Sequence, residues 1–334
     1  MPARRTLEDG SQSEVVFAYR FDAAGQATRR QAGGPVGDPD AAFLWLHLNL
    51  ADRRARDVIA GLDMPADARA MLLEPEERSR FEIEEGWLFG QLADLGRDID
   101  AASDEIVYVR FAVGPNGVFT ARRHPAQALD RLRRDLDRGR LARDPRDFLE
   151  AVVDRIAAGV EKRRQAQDET LTAIEARLLA DRHADVAAAL GDARRVNVEI
   201  TRHLGAVTSA LRRFEQIVAV VDAQNRELRD WATGLAHRFD EVMHDARADA
   251  ERARLLQDEA NASGNWLANR QLFVLTVLNS LLLPATLVTG FFGMNTGGPL
   301  WGADDLNGTL KALVLCCMAA AGAALFMRRR GMFR

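Results

Sequence analysis

LFVLTVLNSLLLPATLVTGFFGMN, running from Leu272 to Asn295, decides how the rest of the chain is read. Its first 21 residues, Leu272 to Phe292, carry no formal charge. As a helix they would rise about 31 Å, the thickness of a hydrocarbon core. Outward from it, a second apolar run, Leu310 to Met327 (LKALVLCCMAAAGAALFM), is just long enough to span, with Lys311 placed to snorkel to the interface. Arg270 precedes the first run and Arg328, Arg329 and Arg330 follow the second, whereas the segment between them holds Asp304 and Asp305 and no positive charge. The positive-inside rule then predicts a two-helix transmembrane hairpin with both termini in the cytoplasm.

The average composition hides this division. Net charge is −4 over 334 residues and 28% are charged, which argues against a disordered chain and against a strongly basic nucleic-acid binder. Between Gln271 and Met327, however, only Asp304, Asp305 and Lys311 are charged. The N-terminus, with Arg4, Arg5, Glu8 and Asp9, has no apolar core of a signal peptide, so insertion is expected to be directed by the C-terminal segments. The two cysteines, Cys316 and Cys317, are adjacent and read as helix-packing residues rather than a disulfide or a zinc knuckle. No phosphate-cradling glycine loop, nucleophile elbow or redox CxxC is present. An ATP-driven pump and a soluble enzyme therefore lack support. Transport would run on a gradient or on the membrane potential, which assists an entering divalent cation by about 4.6 kcal/mol per 100 mV.

Before the membrane segments the pattern changes twice. Strand-like runs occupy Val15–Phe21, Ala42–Leu50, Arg80–Leu95 and Ile106–Val113, then Gly114-Pro-Asn-Gly117 signals a hairpin into VFTARR. Asp52–Leu62 and Pro65–Leu73 read as helices between them, so residues 1–144 are expected to form a cytosolic α+β domain. A helical hairpin is predicted over 145–222: Pro145 follows Asp144 as a helix start, and leucine and valine recur at helical spacing from Ala184. After Asp222 no proline occurs before Pro284, and one stalk helix over 223–292 is expected to run into the first span, about 100 Å long. The remaining boundaries are a periplasmic loop at 293–309, a second span at 310–327 and a basic tail at 328–334.

Steps of seven along the long helix pick out His237, His244, Glu251, Asp258, Asn265, Leu272, Asn279, Thr286 and Gly293. The companion positions four residues on are Glu241, Ala248, Leu255, Ala262, Asn269, Thr276, Leu283 and Gly290. Coiled-coil core positions should be apolar, yet half of these are acidic, amide or hydroxyl, so the seam is expected to face water. Inside a bilayer such a polar face marks either an aqueous path or hydrogen bonds between helices. Two spans per chain do not enclose a path, so a pore needs several copies around an axis.

Gly293-Met294-Asn295, after a span containing Pro284 and before a short second span, resembles the signature of the CorA superfamily of divalent-cation transporters. That resemblance implies a homopentamer in the bacterial inner membrane, with a cytosolic α+β funnel, first spans lining the pore and second spans outside them. The magnesium channels of the family follow the signature with an acidic loop. Here Thr296-Gly297-Gly298-Pro299 follows, which looks like the ZntB branch of zinc transporters. Matched by position, the resemblance assigns Leu272, Leu275, Thr276, Asn279, Leu283, Thr286 and Gly290 to the pore, Gly293, Met294 and Asn295 to its outer end and Asp258 to an acidic cytosolic gate ring. Zinc is the implied cargo, with cadmium or nickel as further cargo. A magnesium or cobalt channel gated by cytosolic magnesium is the alternative, and a non-conducting sensor or scaffold the reading from another class. No resident cofactor is expected. The first span has no cysteine or histidine to ligate zinc tetrahedrally, so the ion would pass at least partly hydrated.

Three further groups carry charge. His237, Glu241 and His244 share a helix face and are reasonable first-row metal ligands; they are equally an exposed polar face, or titratable groups coupling metal to protons. Asp304 and Asp305 are placed to attract cations at the outer mouth. Glu74-Pro75-Glu76-Glu77 with Glu82, Glu84 and Glu85 reads as a solvated acidic rim balanced by Arg78 and Arg80.

Overall fold

In a computed structural model, residues 15–30, 41–97, 102–181, 184–221, 225–293 and 306–329 are described. The chain forms two compact units. One comprises Met1–Leu179 with Val186–Leu256, the other Ala180–Asp185 with Gln257–Arg334.

The first unit is built on a seven-stranded sheet, in the order β2-β1-β3-β7-β6-β5-β4. The strands are β1 (Val15–Phe21), β2 (Ala27–Arg30), β3 (Phe43–Asn49), β4 (Arg80–Glu84), β5 (Trp87–Arg97), β6 (Ala102–Gly114) and β7 (Gly117–Arg122). All neighbours are antiparallel except β3 and β7, which run parallel. Alternation along the strands sorts their side chains onto two buried faces. Leu48, Phe89, Phe119 and Ala121 pack under α1 (Arg54–Ala60) and α2 (Ala66–Leu73). Phe17, Tyr19, Phe21, Trp45 and Phe111 pack on the other face against α3 (Gln127–Asp137), α4 (Pro145–Ala180), α5 (Ala187–Val221) and α6 (Arg226–Gly293). The strand expected over Arg80–Leu95 is instead two strands. Glu85 and Gly86 both adopt positive φ, 50° and 80°, which turns the chain back on itself as a two-residue hairpin.

Helix ends follow the sequence signals. Asp144 Oδ1 accepts hydrogen bonds from the Arg146 and Asp147 amides at 2.7 and 2.8 Å, capping α4. Asn225 Oδ1 accepts from the Leu228 amide at 3.0 Å at the start of α6. The predicted pairing of α4 and α5 is antiparallel: Arg163 reaches Glu199 and Gln167 donates to the Ala193 carbonyl, so one sequence climbs as the other descends. Alongside them, the first part of α6 completes a three-helix bundle, clasped by arginines. Arg238 lies between Glu150 and Asp154, Arg164 between Glu161 and Asp249, and Arg252 between Asp168 and Glu175.

Three buried titratable groups sit in this unit. His47, its Nδ1 2.8 Å from the Thr120 hydroxyl, is held well below the ordinary histidine value by burial and by Arg122. His203, donating Nε2–H to the Ala93 carbonyl, is lowered by burial too. Asp94 caps α3 from a distance by accepting the Ala128 amide at 2.7 Å, and burial pushes its carboxyl up to about 7. The signs oppose. A histidine that folds neutral contributes stability above its unfolded value and loses it on acidification, whereas Asp94 contributes below its unfolded value and loses it as pH rises towards 7. Just below the ordinary histidine value the two lowered histidines outweigh the one aspartate, so stability should rise with pH there. Thermal melts across this range should show that slope, and His47→Gln with His203→Gln should reverse it. An unchanged slope in the double variant would mean that neither ring folds neutral.

In the second unit, the later part of α6 and α7 (Leu306–Arg329) carry the two apolar runs. Among the described residues α6 is the one helix long and apolar enough to cross a membrane, and none of its apolar window is buried. Cys316 Sγ lies 3.7 Å from the Ala285 carbonyl, joining α7 to α6.

Candidate functional site

The seam predicted along α6 can be followed residue by residue. In the first unit, Ala232, Leu235, Ala236, Phe239, Met243, Ala246 and Ala253 are buried on the bundle side. His237, Glu241, His244, Ala248, Glu251 and Leu255 are all exposed. His237 and Phe239 differ by two residues, about 200° around a helix, so the seam is the face turned away from the bundle. His237 Nδ1 stands 3.7 Å from Glu241 Oε1, both side chains 72% exposed. Among the described residues no three His, Cys, Asp or Glu side chains gather as a metal-holding group, and the His237, Glu241, His244 trio is not drawn together as one.

In the second unit the seam continues through Asp258, Ala262, Asn265, Asn269, Leu272, Thr276, Asn279, Leu283, Thr286 and Gly290, every one exposed. Exposure does not single out a face here, because Val274, Leu275, Leu278, Leu282 and Leu287 are also 50% exposed or more. Chemistry does: Asn279 is the only amide between Gln271 and Asn295, and Thr276 and Thr286 lie within one helical face of it. Thr276 donates its hydroxyl to the Leu272 carbonyl at 2.7 Å, and Thr286 donates to Leu282 at 2.8 Å. With the hydrogen turned back into the helix, each hydroxyl oxygen presents lone pairs outward, an acceptor surface that suits a cation. Pro284 has no amide hydrogen, so the Ser280 carbonyl lacks its usual helical donor. Gly290 meets no atom within 4 Å of where a Cβ would stand.

At the start of the apolar stretch, Arg270 lies over the Trp266 ring at 5.4 Å, a cation–π pair. Glu251 and Asp258 have no ion-pair partner among the described residues, unlike the bundle-side carboxylates clasped by arginine. Met294, Asn295, Asp304 and Asp305 lie outside the described residues, as do the side chains of the flanking Gly293 segment. The acidic rim is more fully neutralised than Arg78 and Arg80 alone would make it. Arg80 pairs with Glu74 at 3.2 Å, and the fully buried Arg110 reaches Glu77 at 3.3 Å and the Glu74 carbonyl at 3.1 Å.

A family profile described as CorA-like Mg2+ transporter protein matches residues 40–329. The chain belongs to the CorA family. Membership makes it a divalent-cation transporter and not an enzyme. Among its CorA relatives, a zinc transport protein ZntB of Pectobacterium atrosepticum is 24% identical over 325 residues, 95% of each chain. A ZntB of Klebsiella pneumoniae is also 24% identical, again over 95% of both. Solved structures share the fold. The full-length CmaX protein superposes with a TM-score of 0.79 at 22% identity, covering 96% of this chain and 99% of that one. The CorA magnesium transporter of Methanocaldococcus jannaschii gives 0.73 at 15% identity over 94% and 97%. The ZntB cytoplasmic domain of Vibrio parahaemolyticus gives 0.63 at 14% over 76% and 99%.

Proposed function

We propose that this CorA-family chain conducts zinc across the bacterial inner membrane as a homopentamer, with the first spans around a central axis and α7 outside them. The observation that carries the reading is the acceptor face of α6, where Asn279 and the back-bonded Thr276 and Thr286 lie along an otherwise apolar, unburied helix. Five copies of that face enclose a polar lumen, whereas a single copy leaves it in lipid at a cost. Asn295 supplies amide oxygens at the outer mouth, Asp304 and Asp305 raise the local cation concentration there, and Asp258 forms the cytosolic acidic ring. The hairpin of α6 and α7 leaves both termini in the cytoplasm, in keeping with Arg270 and the Arg328–Arg330 cluster.

Zinc over magnesium is supported by the ZntB relatives that match over nearly their whole length and by the Thr296-Gly297-Gly298-Pro299 sequence after the signature. Neutral amide and hydroxyl oxygens bind a hydrated ion weakly, which permits passage without stripping the water shell. His237 and His244 are the groups through which protons would couple, since neither apolar run contains a carboxylate.

Uptake into proteoliposomes, with zinc and magnesium offered separately and with or without an inward proton gradient, tests this directly. Zinc entry that rises with the gradient, and falls at least about tenfold in Asn295→Ala, is expected. Magnesium flux indifferent to protons would reassign the chain to a magnesium channel. A purified particle with the mass of one or two chains would remove the pore altogether.

A further inference from the structure

Away from α6, the first unit has an open cleft of about 640 Å³ between α3 and α4. Its floor is Arg155, whose side chain is 9% exposed and bonded to Asp135 and to the Ala151 carbonyl. The other carboxylate in the cleft, Asp154, is already engaged by Arg238. That leaves Arg131, Arg134, Arg138, Arg140 and Lys162 lining the walls with no ion pair within 4 Å among the described residues, Arg131 alone acting on a carboxylate at longer range, the buried Asp94. Arg131 bonds only the neutral Gln127 amide and Arg134 only the Asp130 carbonyl. Five cations without an ion pair on one concave surface repel each other, and this occurs in a chain with more acids than bases.

The backbone is arranged to bring these charges together. Gly139 takes a φ of +90° and the Arg138, Gly139 and Arg140 amides close back on Asp135 and Leu136, so α3 ends in a tight turn. That turn sets Arg138 and Arg140 side by side at the mouth.

We propose that this cleft binds a soluble polyphosphate anion through its phosphates. Four of the five cations are arginines, whose planar fork matches phosphate oxygens two at a time. The volume suits a nucleotide-sized ligand. No aromatic side chain lines the cleft, so nothing in it stacks on a base, and recognition is indifferent to whether a nucleoside is attached. The proposal is independent of the cargo and pore assigned above, since it concerns an anion and a different face of the protein.

The test is calorimetric titration of the purified full-length protein in detergent with tripolyphosphate, ATP and orthophosphate. Tripolyphosphate and ATP are expected to bind within about threefold of each other, and orthophosphate at least about tenfold more weakly because it spans fewer of the cations. Arg138→Gln with Arg140→Gln should weaken tripolyphosphate about a hundredfold, roughly tenfold for each charge-assisted contact removed. Lys162→Gln probes the α4 wall without touching the turn and should weaken it about fivefold. Arg195→Gln, on an exposed pair with Asp192 on α5, should leave affinity unchanged. The proposal is overturned by the absence of saturable tripolyphosphate binding, by unchanged affinity in the cleft variants, or by ATP binding more than tenfold tighter than tripolyphosphate.

Discussion

Asn279→Leu is expected to reduce divalent-cation flux about a hundredfold while leaving the protein folded and assembled. Asn279 is the one amide in the middle of an apolar stretch, with Leu272 and Leu275 before it and Leu283 after it. With leucine there, the interval from Leu272 to Leu283 would present about 17 Å of wall whose only polar contribution is the back-bonded Thr276. A lumen lined that way loses its water, and a hydrated divalent ion crosses it only by giving up its own. Replacing amide oxygens with methyl groups at this point costs of the order of 3 kcal/mol, which sets the hundredfold figure. Asn279→Gln, which keeps an amide oxygen, should retain most of the flux. Full activity in the leucine variant would place the pathway on another face.

Trp45→Ala carries the largest expected effect on stability, about 3–5 kcal/mol, a large part of the 5–15 kcal/mol by which domains typically persist. Trp45 is fully buried, with ring centroids 4.7 Å from Phe17 and 4.6 Å from Phe148, so it ties β1 and β3 to the start of α4. Its indole N–H also donates to Thr120 at 2.8 Å, a buried hydrogen bond lost when the ring is removed, with His47 left as that hydroxyl's partner. Chemical denaturation should show the midpoint falling at unchanged slope, and Trp45→Phe should recover the packing but not the hydrogen bond. A loss below about 1 kcal/mol would mean that the helical bundle alone holds this unit together.

How far the sequence carried these readings depended on whether the signal was local. The strands β1, β3 and β7, the cap at Asp144 and the unbroken helix after Asn225 were each legible, because alternation, capping residues and the absence of proline act over a few neighbouring positions. The β4–β5 hairpin was not. Apolar residues continue across Glu85-Gly86, and that turn needs positive φ at a glutamate, which few sequences signal. β2, reading ATRR, is too short and polar to show a strand period, and α3 was hidden by the charges in QALDRLRRDLD. The polar seam was legible because a heptad step is itself local, and within the first unit His237, Glu241, His244, Ala248 and Glu251 are all exposed. The cleft between α3 and α4 was not read from the sequence: the arginines of RLRRDLDRGRLAR form one wall, and the other, Lys162, comes from a helix that only the fold brings alongside.

A cation leaving such a pathway would encounter little background chelation in the helical bundle. Neighbouring carboxylates are ready-made traps for a divalent ion, and the bundle holds three such pairs, two along α4 itself and one between α4 and α6. In each case a guanidinium already lies between them: Arg238 for Glu150 and Asp154, Arg252 for Asp168 and Glu175, Arg164 for Glu161 and Asp249. Arginine keeps its charge at every physiological pH, so these sites stay closed to cargo whatever the metal load. The clasped carboxylates of the bundle therefore do not become a sink for the ion, whereas Glu251 and Asp258, exposed on α6 with no ion pair among the described residues, stay open to it.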